Sequence, residues 1–424
     1  MRAAASDLHD GLSASLAGEP AALGPSSAPP PASAVGSAAG TGAASSGGEA
    51  PGTATRPSRS SRIALQGVTP QELARAVPEL SIEEARRVVA QVHRDEDPAT
   101  PSSGVRRSSR EAVLRAGWVP RLELRAERAS RVDPFVKYAL ATADGHVIET
   151  VRIPLEKAGR FSVCVSSQVG CALACSFCAT GRMGLTRNLE AWEIVEQVRV
   201  VRRGLGDGER VHGVVFQGMG EPLANLDRVL AAIAVMSDSS ALAIDARAIT
   251  VCTSGLPSGI RRLAREAPKV RLGLSIGSAL PDTRRSLMPI DRAHPLDEVI
   301  DAACEHAKLT GLAPMWAVTL LSGVNDGVEH ARALADLVDR FRNRTGRTPR
   351  LSVIPYNAIG VVRPAARGTS IAPAPEPGDP FVRTSDERER AFRDVLRERG
   401  VFTHKRYSGG ADVDAACGQL AARG

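Results

Sequence analysis

After Tyr138 the chain alternates between short apolar runs and longer segments whose apolar positions recur at helical spacing. The apolar runs predict buried strands, and the longer segments predict amphipathic helices. Strands are predicted at residues 146–154, 161–167, 211–218, 246–255, 270–278, 313–323 and 350–357, with a last short segment at 401–407. Helices are predicted between them at residues 189–205, 226–236, 257–267, 296–311, 329–344 and 387–400.

This alternation is typical of βα units around a parallel sheet, so it predicts an α/β fold with five or six units in a full or partial barrel. In such a barrel the functional side chains follow the carboxyl ends of the strands. Polar or cysteine sites follow four of the predicted strands: a cysteine cluster, Gly220 with Glu221, the run 253–255, and Ser275. We therefore expect a functional site at that end of the sheet.

The residues before the barrel have a different composition. Ala, Ser, Gly and Pro dominate residues 1–60, which predicts a disordered tail because few apolar side chains are available to bury. Residues 61–137 predict a small helical and basic domain. Its segments 69–80 and 81–98 each open with Thr or Ser followed closely by Glu, as helices do. The barrel domain is predicted to span residues 138–424.

Composition narrows the class of protein. Hydrophobic residues make up 43% of the 424-residue chain, so most of it is expected to be globular. The sequence has no apolar run of about eighteen residues and no basic segment followed by an apolar core, so neither a membrane span nor a secretory signal is predicted. Its seven cysteines are clustered, which is typical of metal or catalytic sites in a reducing cytoplasm. The Pro-rich stretch from Gly368 to Pro380 predicts a surface loop insertion.

The net charge of +7 is compatible with an RNA or DNA partner. Eight arginines lie between Arg106 and Arg131, with few acids among them. Two interpretations of this basic stretch stay open: a solvated face or linker, and a surface that contacts phosphates. Aromatic residues make up only 3% of the chain, so no obvious platform for stacking bases is predicted.

Three cysteines, Cys171, Cys175 and Cys178, follow one predicted strand with the spacing C-x3-C-x2-C. A structural zinc site takes four protein ligands, and this triplet has no fourth ligand close by in the pattern. Three thiolates suit a cubane iron–sulfur cluster in which one iron stays open for a small-molecule ligand. Three buried small residues would be the alternative, but a loop offers little packing reason for three thiols within eight residues.

The aromatic residue before the last cysteine, in the run CSFC, makes the stretch resemble the radical S-adenosylmethionine (radical SAM) enzymes. In that superfamily the open iron binds the amino and carboxylate groups of S-adenosylmethionine. The run GMGEP at 218–222 resembles the superfamily's strand-end motif. The resemblance implies that Gly220 and Glu221 bind the cofactor, with Glu221 at the methionine amino group.

Five runs in order narrow the resemblance: CVSSQVGCALACSFCATG, GMGEPLAN, GVNDGVEHA, IPYN and DVDAACGQL. They closely resemble the radical SAM methyltransferases that act on adenine carbon 2 in 23S ribosomal RNA and transfer RNA, with a sister group that acts on carbon 8. The resemblance covers roughly Tyr138 to Leu420. It implies a partial (β/α)6 barrel with a small N-terminal domain, one 4Fe–4S cluster, and two molecules of S-adenosylmethionine per turnover.

The resemblance also implies three catalytic residues. Cys417 would take a methyl group from one S-adenosylmethionine, and a radical generated from a second would convert that methyl group into a methylene radical that adds to the base. Glu149, in IETVRIP, would remove the ring proton. Cys164 would then attack Cys417, forming a disulfide and releasing the methylated base.

Further cofactor contacts follow by position, and several depart from the family pattern. Asn325 and Ser275 match cofactor-binding residues. The family's Ser-Leu-His reads Ser275, Ile276 and Gly277 here, and the first serine of its Ser-Thr-Ser/Val-Gly is Cys252. The usual Arg-Gly near the C-terminus is replaced by two glycines at 409–410. These changes fall in the predicted cofactor and substrate pocket and indicate a divergent member.

The resemblance also sets the expected partners. They are RNA and an electron donor such as a flavodoxin-type reductant, and the enzyme is expected to act as a monomer. Three alternatives stay open: a carbon-8 adenine methyltransferase, a non-catalytic iron–sulfur protein that binds RNA or senses redox state, and a radical enzyme with a non-RNA substrate. Cys304, on the apolar face of a predicted helix, is expected to be a core residue.

Overall fold

A ten-stranded sheet organises the structure, which is a computed structural model. It describes residues 62–359, 379–405 and 409–421, all within the compact unit Arg56–Gly424. The tail predicted at 1–60 lies outside these residues, as does most of the loop insertion predicted from Gly368 to Pro380.

The strands are β1 (Ile63–Ala64), β2 (Gly117–Trp118), β3 (Glu123–Ala129), β4 (Val136–Ala141), β5 (Val147–Pro154), β6 (Arg160–Cys164), β7 (Gln168–Cys171), β8 (Gly184–Asn188), β9 (Arg210–Phe216), β10 (Ile249–Thr253), β11 (Arg271–Ser275), β12 (Met315–Leu320), β13 (Arg350–Pro355) and β14 (Thr403–Lys405). The helices are α1 (Pro70–Ala76), α2 (Ile82–His93), α3 (Arg107–Ala116), α4 (Ala179–Met183), α5 (Ala191–Arg203), α6 (Leu226–Ser237), α7 (Pro257–Glu266), α8 (Pro281–Leu287), α9 (Leu296–Thr310), α10 (Val328–Thr345) and α11 (Asp386–Glu398).

The sheet has the order β14-β13-β12-β11-β10-β9-β6-β5-β4-β3, and β14 and β3 form its two ends. Strands β6 and β9 to β14 run parallel to one another, whereas β3, β4, β5 and β6 pair antiparallel. A helix follows each of six parallel strands, β6 and β9 to β13. Each helix precedes the next parallel strand in the sequence, which after β13 is β14. The predicted α/β fold with a partial (β/α)6 barrel is therefore confirmed.

The N-terminal helices form where the capping pattern predicts them. Thr69 and Ser81 cap α1 and α2, and Glu72 and Glu84 return the hydrogen bond to each cap, so both helices begin with a capping box. Apolar residues of this segment, including Leu65, form a hydrophobic cluster separate from that of the sheet. The division at residue 137 stays a prediction, and the large sheet already begins with β3 and β4.

The basic stretch contains a helix, α3, that the sequence analysis did not predict. At least five of its eight arginines form ion pairs with nearby carboxylates: Arg106 with Glu84, Arg107 with Glu111, Arg115 with Glu79, Arg121 with Asp95, and Arg125 with Glu123. These carboxylates reduce the positive potential that an RNA backbone would meet. The pairing favours the interpretation of a solvated face.

Cys304 is buried on α9 within the main core, as predicted. None of the helices in the described ranges combines the length and apolar character that crossing a membrane requires.

Candidate active site

A cavity of about 970 Å³ lies at the carboxyl ends of the parallel strands and is open to solvent. Most of the residues predicted for the site line it together. They are Cys171, Cys175, Cys178, Gly220, Glu221, Cys252, Ser275, Gly277 and Cys417. The structure thus brings together side chains that are up to 246 positions apart in the sequence, from Cys171 to Cys417.

A β-hairpin positions the cysteine triplet. Cys171 ends β7, directly opposite Gly184 of β8, and Cys178 lies immediately before α4. Cys178 N donates to Cys175 O at 3.1 Å, which closes a turn between the second and third cysteines. The hairpin and α4 therefore hold a short loop with its thiols towards the cavity.

The electrostatics of these thiols fit a positively charged cluster. Burial, with a smaller contribution from the neighbouring thiols, raises the pKa of Cys171 and Cys175 to about 12. Thiolates at these positions would therefore need the positive charge of bound iron. No three His, Cys, Asp or Glu side chains in the described part of the chain converge closely enough to hold a single metal ion. Three thiols at this spacing suit a cubane iron–sulfur cluster in which one iron stays open.

Glu221 places a buried carboxylate in the same cavity. Its Oε1 accepts from Leu223 N at 3.0 Å and its Oε2 accepts from Ser254 N at 2.9 Å. Burial raises the pKa of this carboxyl group, and both donors are neutral. A cationic amino group in the cavity would compensate this carboxylate. The neighbouring Gly220 has φ +101°, and a Cβ there would lie 2.6 Å from Gln168, so the tight turn requires glycine.

Arg284 lies behind the wall of the cavity and binds the backbone of residues at the ends of two strands. The sequence analysis did not predict it. It is buried, its Nη2 donates to Ser254 O at 2.8 Å, and its Nη1 donates to Ser275 O at 3.1 Å and to Ile276 O. Its Nε donates to Asp291 at 2.9 Å. One guanidinium therefore ties the ends of β10 and β11 together. The run DTRRSLMP contains two adjacent arginines and gives no signal that one of them is buried.

Ile276 and Asn325 lie beside the cavity without lining it. Ile276 is fully buried. The Asn325 amide donates to Gly277 O and Thr319 O, both at 2.8 Å, and its Oδ1 accepts from Leu321 N at 2.7 Å. Its side chain is therefore committed to joining two strand ends, and its cofactor role stays a prediction.

The backbone at Gly277 is left-handed and closely approached, which favours glycine. Gly277 has φ +67°, and a Cβ there would lie 2.6 Å from Met288 Sδ. Met288 thus lies directly against the backbone at this position.

A smaller cavity of about 460 Å³ lies next to the first. Cys164 lines it, and Cys417 lines both cavities, together with Gln217 and Gly418. Cys417 is therefore a residue shared by the cavity of the predicted cluster site and the cavity of Cys164. Gln217 was not predicted, although its position directly before the GMGEP run was a usable signal.

The segment 409–421 is held against several elements of the barrel. Ala179 N donates to Gly418 O at 2.8 Å, and Thr180 Oγ1 donates to Leu420 O. The Gln419 amide donates to Ala358 O at 3.0 Å. The first two bonds attach the Cys417 loop to α4, next to the cysteine triplet, and the third attaches it to the residues after β13.

Gly409 is closely surrounded by side chains. A Cβ on Gly409 would overlap the ring of Phe135 and lie 2.8 Å from Asp133 Oδ2. Phe135 lines the smaller cavity. The ring of Phe135, the residue just before β4, thus occupies the space next to Gly409.

Glu149 lies on β5 and lines neither cavity. It is fully buried, its Oε1 is 3.1 Å from Lys137 Nζ, and its Oε2 accepts from Ala421 N at 2.9 Å. Its role as the base stays a prediction. Lys137 was missed, although a lysine inside the apolar run VKYALA was a signal.

Comparisons with known proteins identify the family. The profile of the Radical SAM superfamily matches residues 165–337. A "Probable RNA methyltransferase sce3898" from Sorangium cellulosum is 59% identical over 364 residues, which cover 83% of this chain and 90% of that protein. The chain belongs to the radical SAM RNA methyltransferases.

Other radical SAM proteins agree with this assignment. A "Dual-specificity RNA methyltransferase RlmN" from Syntrophobacter fumaroxidans is 42% identical over 70% of this chain and 79% of its own length. The crystal structure of a radical SAM methyltransferase from Sphaerobacter thermophilus matches with a TM-score of 0.72 and 34% identity, over 85% of this chain and all of that one. Membership in this family implies a 4Fe–4S cluster and S-adenosylmethionine as cofactors, and the predicted family is confirmed.

The carboxylate in the larger cavity yields a test of cofactor binding in this radical SAM RNA methyltransferase. We expect Glu221→Gln to weaken S-adenosylmethionine binding by roughly 30-fold or more, since losing one partner of a buried charge pair costs about 2–5 kcal/mol. Isothermal titration of the cluster-reconstituted protein measures the affinity. Glu190→Gln, at an exposed position, is the matched control. Unchanged affinity in Glu221→Gln, with the cluster absorbance retained, would contradict the assignment.

Proposed function

We propose that this radical SAM RNA methyltransferase methylates a ring carbon of adenine, carbon 2, in 23S ribosomal RNA or transfer RNA. The observation that carries the proposal is the position of Cys417. Cys417 lines the cavity of the three predicted cluster ligands and also the cavity of Cys164. A residue that receives a methyl group on one side and meets the base on the other requires this arrangement.

Cys171, Cys175 and Cys178 would hold one cluster, and Glu221 would hold the amino group of S-adenosylmethionine. When bound, these cofactors supply a methyl group and a radical able to remove a hydrogen atom from an unactivated carbon. Such chemistry is needed because adenine carbon 2 carries no acidic proton and is electron-poor. Two molecules of S-adenosylmethionine would be used per turnover, one for each purpose.

The remaining steps are carried by residues of the chain. The Cys417 sulfur would carry the methyl carbon and attach it to the adenine ring. Glu149 would accept the ring proton on its carboxylate, and the single electron left by the radical addition would pass to the bound cofactors. The Cys164 thiolate would then attack the Cys417 sulfur, so that an S–S bond forms, the bond from sulfur to the new methyl carbon breaks, and that carbon takes up a proton. An external reductant would restore both thiols.

The partners follow from the same chemistry. RNA is the substrate, and a flavodoxin-type protein is proposed as the one-electron donor to the cluster. The enzyme is proposed to act as a monomer in the cytoplasm. A sensor that only binds RNA would not need Cys417 to line both cavities, which argues against the non-catalytic alternative.

The product of the reaction tests the proposal. The protein is reconstituted anaerobically with iron and sulfide and incubated with reductant, methyl-labelled S-adenosylmethionine and unmodified bulk RNA. The RNA is then digested to nucleosides and separated by mass and retention time. Labelled 2-methyladenosine is expected; 8-methyladenosine would overturn the carbon-2 assignment, and cleavage of S-adenosylmethionine without labelled RNA would overturn the RNA substrate.

Cys164→Ala is expected to trap a covalent adduct between the protein and RNA. Without the second thiol, the bond between the Cys417 sulfur and the new methyl carbon cannot be broken by disulfide formation. Denaturing gel electrophoresis with labelled RNA detects the adduct. Cys304→Ala, in the core of α9, is the control and should release product normally. Free turnover by Cys164→Ala would refute the resolving role.

A further inference from the structure

Lys137 and Glu149 form a buried ion pair on the adjacent strands β4 and β5. Lys137 Nζ lies 3.1 Å from Glu149 Oε1, and the two side chains are 2% and 0% exposed. Burying two charges carries a desolvation cost that their attraction offsets only in part, and apolar side chains of similar volume often serve a core equally well. Stability alone therefore does not account for this pair.

The pair faces the same side of the sheet as Cys164. Lys137 is paired in register with Val151, and Val151 is paired with Cys164, across β4, β5 and β6. Paired residues on neighbouring strands point to the same face of a sheet. Val151 and Cys164 both line the smaller cavity, so the ion pair flanks the wall of that cavity.

The other carboxylate oxygen of Glu149 contacts the segment that carries Cys417. Ala421 N, four residues after Cys417, donates to Glu149 Oε2 at 2.9 Å. Ala421 is itself buried against the barrel. The Glu149 carboxylate thus links the Lys137 ammonium group on β4 with Ala421, at the end of the segment that carries Cys417.

We propose that Lys137 is a positioning residue, which holds the Glu149 carboxylate so that Glu149 fixes the Cys417 segment between the two cavities. The inference rests on the catalytic role proposed for Cys417. It assigns Lys137 no contact with substrate or cofactor. Its effect is transmitted through one ion pair and one hydrogen bond.

Hydrogen exchange followed by mass spectrometry tests the proposal on the full-length, cluster-reconstituted protein. Lys137→Met is expected to speed exchange in the peptide that contains residues 409–421 by about tenfold, because its anchor is loosened. Lys137→Met removes the cation beside a buried carboxylate, so the double variant Lys137→Met/Glu149→Leu, which removes both charges at similar volume, is measured beside it. The double variant should show the same increase as Glu149→Leu alone, since the two residues act as one unit.

Two controls separate positioning from general destabilisation. Glu196→Gln breaks another buried ion pair, with Arg199 on α5, and should leave exchange at 409–421 unchanged. The peptide that contains α9 should also stay unchanged in every variant. Unchanged exchange at 409–421 in the double variant, or an equal increase in α9, would overturn the inference.

The same variants link the inference to turnover. Lys137→Met should lower kcat for RNA methylation and leave the affinity for S-adenosylmethionine unchanged, because Glu221 and the cluster loop are untouched. Exchange is measured without RNA. A wild-type protein that forms no methylated adenosine would therefore refute the proposed function without altering the exchange result.

Discussion

Cys417→Ala is expected to abolish RNA methylation and to leave the iron–sulfur absorbance intact. Cys417 lines both cavities, and its thiol is the proposed carrier of the methyl carbon. Alanine removes the sulfur without disturbing the bonds that hold the loop, since Gly418 O and the Gln419 amide make those bonds. We expect the rate to fall by about a thousandfold or more, as when other covalent catalytic groups are removed.

The measurement is labelled methyl incorporation into RNA, with iron content and absorbance recorded on the same samples. Cys304→Ala is the matched control, because Cys304 is also an unbridged cysteine but is buried in α9 away from both cavities. Loss of the cluster absorbance in Cys417→Ala would identify Cys417 as a ligand. Retained methylation would show that another residue carries the methyl group.

The parallel half of the sheet could be predicted from the sequence because its strands are short, apolar and separated by amphipathic helices. The strand predicted at 270–278 is β11, Arg271–Ser275, and the helix predicted at 296–311 is α9, Leu296–Thr310. The antiparallel half was harder to predict. Strand β3 is an exposed edge strand with alternating charges, and β4 carries Lys137 inside an apolar run, so neither shows a simple pattern.

The residues of the candidate site also differ in whether the sequence could predict them. Residues in local runs, such as the cysteine triplet and Glu221, could be predicted because their spacing itself reflects the chemistry. Arg284 could not, since it is defined by partners elsewhere in the chain. Arg284 meets Ser254 from 30 positions away, and the bond from Glu149 to Ala421 spans 272 positions. Such contacts depend on the folded sheet and leave no local signature.

The hairpin that carries Cys171 was also missed, and its geometry explains why glycine occurs twice there. Gly170 has φ +77° and lies at an irregularity in the pairing of β7 with β8. A Cβ on Gly170 would overlap Gly184 O, a backbone atom that cannot move without shifting the opposite strand. Glycines of this kind interrupt the pattern by which strands are predicted, and they allow the close approach that places the first cysteine.

Gly170→Ala is therefore expected to prevent cluster assembly. The left-handed backbone alone costs alanine about 1–2 kcal/mol. The overlap with Gly184 O adds to this cost, and relieving it requires β7 and β8 to separate next to Cys171. We expect reconstituted Gly170→Ala to hold less than about half of the wild-type iron, because a shift of about 1 Å in one ligand is enough to lose a site that depends on preorganised geometry.

Gly145→Ala separates backbone strain from steric overlap. Gly145 lies in the hairpin between β4 and β5 with φ +85°, close to the value at Gly170, and a Cβ there would meet no atom within 4 Å. It should cost only the left-handed backbone and keep full iron and sulfide content. Equal iron content in the two variants would mean that β7 and β8 accommodate the added methyl group. A deficit confined to Gly170→Ala would show that the close approach of Gly170 to Gly184 positions Cys171 for the cluster.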